Sequence, residues 1–194
     1  MSSENSDSYF FSESESSSTE NTNNETCISF PISINENLLQ SITKIILKII
    51  SNNLTLPNYK TILEEQMQSP YSTLIIPGIS LYEYLYRIKY YSEVEDNTLI
   101  ISLMYIDRLC KLGKIVLIEN NLHRLLFTSI LIAIKYNEDN IYDNKYYAKI
   151  AGINIKELNL LEKDFCYKME FNFYVENKQF EHYRSCLNNL KFGK

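Results

Sequence analysis

Side chains able to support metal or nucleophilic chemistry are few in this chain. Cys27, Cys110, Cys166 and Cys186 lie far apart with no C-x-x-C pair, and with His123 and His182 they form no zinc spacing. Such thiols fit a reducing compartment. A phosphate-handling or acyl-transfer enzyme would need G-x-x-x-x-G-K, G-x-S-x-G or H-E-x-x-H; none occurs, and four glycines leave no phosphate cradle. His123, beside Arg124, has no orienting partner nearby in sequence and reads as a packing residue rather than a base. Asp107 falls on the side of its segment that carries Ile100 and Met104, which suits a structural hydrogen-bonding role. No catalytic residue, cofactor or metal is expected. Two charges stand out by position alone: Lys135, directly after Leu131-Ile132-Ala133-Ile134, and Glu162, within Leu158-Asn159-Leu160-Leu161-Glu162. Composition reads both as solvated charges.

The elements that must position these residues follow from composition and periodicity. The chain has 194 residues, 45% of them hydrophobic and 22% charged, which is globular rather than wholly disordered. Four Gly and four Pro argue against a many-turned sandwich or barrel. Six of the 24 acids fall within residues 1–26, where there is no Lys or Arg; the other 18 oppose 19 Lys and Arg, a formal +1. A near-neutral body is poor material for a nucleic-acid surface. The N-terminus shows no basic start or apolar core of a secretory signal, and Leu125–Ile134, broken by Thr128 and Ser129, is too short to cross a bilayer. The expectation is an intracellular protein of nucleus or cytoplasm with no membrane partner.

Residues 1–26, rich in Ser, Glu, Asn and Thr, are expected to form a disordered tail dispensable for folding, with Tyr9-Phe10-Phe11 as a lone apolar island. Helical spacing of Leu38, Ile42, Ile45 and Ile49 predicts a helix over 35–52, followed by a surface connector punctuated by Pro57, Pro70 and Pro77-Gly78. Beyond it five helices are predicted. The first, 80–91, carries a Leu81, Tyr84, Leu85 and Ile88 stripe, and the second, 97–112, is stopped by Gly113. The third, 120–136, is apolar on nearly every side and therefore buried, with Ser129 and Ala133 small enough to admit a neighbour. The fourth, 144–151, is capped by Asp143 or Asn144 and ended by Gly152; the fifth opens at Asn154 with Glu157 three residues on. A sixth, 176–190, completes an all-α chain, since the periodic stretches outrun a typical strand.

Five segments in order then resemble a known family. They are Ile79-Ser80-Leu81-Tyr82-Glu83-Tyr84-Leu85-Tyr86-Arg87-Ile88; Leu103-Met104-Tyr105-Ile106-Asp107-Arg108-Leu109; Leu122-His123-Arg124-Leu125-Leu126-Phe127-Thr128-Ser129; Asn144-Lys145-Tyr146-Tyr147-Ala148-Lys149-Ile150-Ala151-Gly152-Ile153; and Glu157-Leu158-Asn159-Leu160-Leu161-Glu162-Lys163-Asp164-Phe165. Together they resemble the cyclin box of the P/U-type (Pho-type) cyclins. The resemblance implies one five-helix box over 79–175, preceded by an N-terminal helix and connector (27–78) and followed by a C-terminal helix (176–194), with too few residues after Phe171 for a second box. It also implies a regulatory subunit that binds and activates a cyclin-dependent protein kinase, with no chemistry of its own. In the family a lysine ending helix 3 and a glutamate in helix 5 hold backbone groups beside the kinase αC helix; Lys135 and Glu162 match those positions and are expected to stand exposed in the isolated chain. Where mitotic cyclins open helix 1 with an arginine that partners the helix 2 aspartate, this chain has Gly78; Arg87 lies further along, as in the P/U group, so Arg87, Asp107 and Ala133 are expected to be structural. Ile118 holds the usual Ser/Thr cap position before helix 3, with Asn120 as the substitute. The alternative reading is a cyclin-fold scaffold for a non-kinase partner.

Overall fold

The structure, a computed structural model, describes residues 34–189, and every regular element among them is an α-helix. The expected tail at 1–26 and the chain beyond residue 189 lie outside the described residues. Helix α1 (Glu36–Leu54) is capped by Asn35, whose side chain accepts from the Leu38 N–H. It buries Leu38, Leu39, Ile42, Ile46 and Ile50. The buried stripe therefore continues from Ile42 in steps of four, and Ile49, expected on it, faces outward. Helix α2 (Tyr59–Met67) occupies what was expected to be plain connector; it buries only Ile62, so no apolar stripe announces it.

Helix α3 (Leu81–Ser92) starts with a reciprocal cap: the Glu83 N–H donates to Ser80 Oγ (3.2 Å) and the Ser80 N–H to Glu83 Oε2 (3.1 Å). It buries the predicted Leu81, Tyr84, Leu85 and Ile88. Its Lys89 is also buried, donating to the Val94 carbonyl and pairing with Asp96 (2.9 Å), whose other oxygen accepts from Asn35. A buried ammonium is tolerable only with such partners, and these three groups tie the starts of α1 and of α4 (Asp96–Lys111) to the end of α3. Gly113, at φ +66°, turns the chain out of α4.

Helix α5 (Glu119–Asn137) holds ten consecutive buried residues, Leu125 to Ile134, and packs against α2, α3 and α4. Fully burying each large aliphatic side chain is worth about 1.5–3 kcal/mol, so this helix anchors the core. Ser129 Oγ donates to the Ser102 carbonyl of α4 at 2.6 Å, direct evidence of the close approach that the small residues allow. Ile118 sits at the cap and cannot cap; Asn121 instead accepts the Ile118 N–H (3.0 Å). Asn120, expected as the substitute, exchanges two hydrogen bonds with Thr73 and fastens the connector to α5.

Helix α6 (Asn144–Ala151) is capped by Asp143 and ended by Gly152 at φ +72°. Helix α7 (Ile155–Lys168) opens on Asn154, which accepts the Glu157 N–H (2.9 Å). The box-like start is only half formed, because the Glu157 carboxylate turns to Arg124 Nε of α5 (2.6 Å). Both α6 and α7 pack on α5 and on each other. After α7 the chain folds back on α4: Tyr105 donates to the Phe173 carbonyl (2.8 Å) and Arg108 to those of Asn172 and Tyr174. Helix α8 (Asn177–Asn188) then lies against α1 and α4.

Candidate partner-binding site

Helices α5 and α7 meet through an apolar seam, and two ion pairs join them, Arg124 with Glu157 and Lys135 with Glu162. On α7, Leu158, Leu161 and Phe165 are buried, and Glu162 follows Leu161 round the helix. On α5 the buried run ends at Ile134, and Lys135 is the next residue, in the last turn, where a cation suits the negative end of the helix dipole. The two side chains, 27 residues apart in sequence, meet with Lys135 Nζ 2.5 Å from Glu162 Oε1. Their side chains are 29% and 21% exposed, so the expectation that both stand free in the isolated chain is corrected: each covers the other. The reason is geometric, since both emerge from the same seam.

A third helix reaches the pair. Asn144, the first residue of α6, donates from Nδ2 to Glu162 Oε2 (2.7 Å) and to Asn159 Oδ1 (2.8 Å). One turn beyond Glu162, the Cys166 thiol has its pKa raised, mainly by burial and then by the Glu162 charge, with Lys135 acting the other way. Tyr136, Leu160 and Tyr167, sequence neighbours of the pair, are each more than half exposed. Chemically the arrangement holds a cation with N–H donors to spare beside a carboxylate with lone pairs to spare. Such groups can donate to backbone carbonyls or accept from backbone N–H groups. Spacing alone did not mark Asn144; its place at the start of a helix suggested only a cap, and Asp143 takes that role.

The other singled-out residues lie elsewhere. Asp107 pairs with Lys111 one turn along α4 (2.6 Å), while Arg87 donates to the Lys149 carbonyl of α6 (3.1 Å), so Arg87 and Asp107 are not brought together. Ala133 is fully buried. His123 lines a cavity of about 280 Å³ with Ile79, Tyr84, Arg87, Phe127 and Ile153, its ring edge-on to Tyr84 at 5.0 Å. Burial lowers its pKa, and the Ile79 backbone partly offsets that shift. Among the described residues no three His, Cys, Asp or Glu side chains cluster as a metal site, and no helix is long and apolar enough to cross a membrane.

Comparison with known proteins agrees with this architecture. The family model described as Cyclin matches residues 2–173. Cyclin-U4-1 of Arabidopsis thaliana is 36% identical over 138 residues, 71% of this chain and 67% of that protein. Cyclin-U2-1 of the same plant is 39% identical over 109 residues, 56% of this chain and 49% of the relative. Cyclin-P4-1 of Oryza sativa subsp. japonica is 33% identical over 120 residues, 61% of this chain and 57% of the relative. The chain thus spans between about half and two thirds of the length of these relatives. With an all-helical architecture, a match along most of its length and relatives of the U and P types, the chain belongs to the cyclin family, as a P/U-type cyclin.

Proposed function

We propose that this cyclin is the non-catalytic regulatory subunit of a cyclin-dependent protein kinase, which it binds and activates, with Lys135 and Glu162 contacting the kinase's αC helix region. The observation that carries the reading is the meeting of Lys135 and Glu162 at the edge of the α5–α7 seam. An ammonium satisfies backbone carbonyls and a carboxylate satisfies backbone N–H groups, and charge-assisted bonds of this kind fix orientation. A kinase whose αC helix is held inward pairs the αC glutamate with the β3 lysine and orders its activation loop. The cyclin acts by binding that active arrangement more tightly than the inactive one. In this reading residues 79–175 are the box, with Asp107, Arg87 and Ala133 in structural roles, and residues 1–26 are dispensable for both folding and binding.

Affinity purification of the tagged chain with mass spectrometry identifies the partner, and a phosphorylation assay of that kinase with and without the chain tests activation. A co-purifying cyclin-dependent kinase whose activity rises with added chain is the expected result. A non-kinase partner alone would move the conclusion to a cyclin-fold scaffold.

A further inference from the structure

We propose that Asn144 is a positioning residue of the partner-binding site, an inference that rests on the reading of Lys135 and Glu162 as kinase contacts. The Glu162 carboxylate is divided between two donors on different helices: Lys135 of α5 takes Oε1 and Asn144 of α6 takes Oε2. A carboxylate only accepts, so the amide nitrogen of Asn144 must face it, and its second hydrogen is held by Asn159 Oδ1 one turn earlier on α7. The amide is therefore locked between two residues of one helix face.

This division has a consequence for the pair. A carboxylate free to rotate beside an ammonium can offer it both oxygens and occupy more of its donors. With Oε2 anchored to Asn144, Lys135 is engaged by one oxygen and keeps its remaining N–H groups for carbonyls of the partner. Glu162 is likewise kept at a set angle, with lone pairs left for partner N–H groups. Asn144 does this without serving its own helix as a cap, because Asp143 Oδ1 accepts the Tyr146 N–H at 2.8 Å. Substitution at 144 therefore spares the start of α6.

The test titrates the recombinant cyclin-dependent kinase that the tagged wild-type chain retains, using wild type, Asn144→Ala, Glu162→Ala and the double variant. Circular dichroism melts confirm the fold. Asn144→Ala should weaken binding about tenfold in the wild-type background and by much less once Glu162 is Ala, because its effect passes through that carboxylate. Asn144→Asp, nearly isosteric and favourable in the first turn of a helix, removes the donor and sets a second carboxylate against Glu162, so it should weaken binding more than Asn144→Ala does. Equal losses from Asn144→Ala in both backgrounds would mean a packing role and overturn the proposal. Wild-type affinity for Asn144→Ala, alongside weakened Glu162→Ala, would overturn it while leaving the kinase-contact reading intact. Wild-type affinity for Glu162→Ala would remove that underlying reading itself.

Discussion

Ala133→Leu probes the core at a small, fully buried residue. Ala133 is fully buried in α5, one turn beyond Ser129, whose hydroxyl donates to the α4 backbone at 2.6 Å. A helix pair held that closely leaves no space for three extra carbons without shifting α4 or forcing a strained rotamer. Overpacking of this kind costs about 1–3 kcal/mol. For a chain of this size each kcal/mol moves the midpoint by about 2–4 °C, so the variant should melt roughly 2–12 °C below wild type. The assay is thermal unfolding by circular dichroism, with Lys156→Leu on an exposed position of α7 as the control for adding the same side chain. That control should stay within about 0.5 kcal/mol of wild type. A midpoint for Ala133→Leu within about 1 °C of wild type would refute the tight α4–α5 contact.

Two further outcomes concern titratable groups. His123 has a folded-state pKa below its ordinary 6.5, so the unfolded chain binds the proton more readily. Stability should therefore be present above about pH 6.5 and decline as pH falls below it, and His123→Gln should remove that component in urea melts at pH 5 and 7; an unchanged slope with pH would contradict the burial argument. Among the described cysteines, Cys186 is exposed whereas burial pushes Cys110 up to about 11. In a Cys27→Ser background a thiol reagent at pH 8 should modify Cys186 first and Cys110 last; the reverse order would show that α8 does not cover α4 as described.

Much of the fold was legible because burial leaves a strong periodic mark. A helix apolar on every side, as from Leu125 to Ile134, has to be interior, and the stripe of α3 and the glycine after α6 mark themselves equally well. Helix α2 was not legible, since Tyr59–Met67 buries one residue and lies between two prolines that read as loop signals. At α5 the Ser/Thr cap is missing, and only the reverse half of a capping box remains: Asn121 at N3 accepts the Ile118 N–H, a local bond that a search for cap residues at the boundary passes over. The candidate site was legible only in part. Resemblance singled out Lys135 and Glu162, but their mutual contact depends on how α5 crosses α7, which local pattern does not encode. For the same reason Arg87 and Asp107 could not be separated in sequence, whereas the Asp107–Lys111 pair, one helical turn apart, is a local feature.

The most direct test of the kinase-contact reading is titration of the partner kinase with wild type, Lys135→Ala, Glu162→Ala and the double variant. In the isolated chain the pair is partly exposed, so its loss should cost at most about 1 kcal/mol of stability and leave the fold intact by circular dichroism. In the complex, each lost charge-assisted bond is worth about 1.5–3 kcal/mol, so each single variant should bind about ten- to a hundredfold more weakly. The double variant should lose less than the product of the two, because the side chains already act as one unit at 2.5 Å. Wild-type affinity in the double variant would contradict the account.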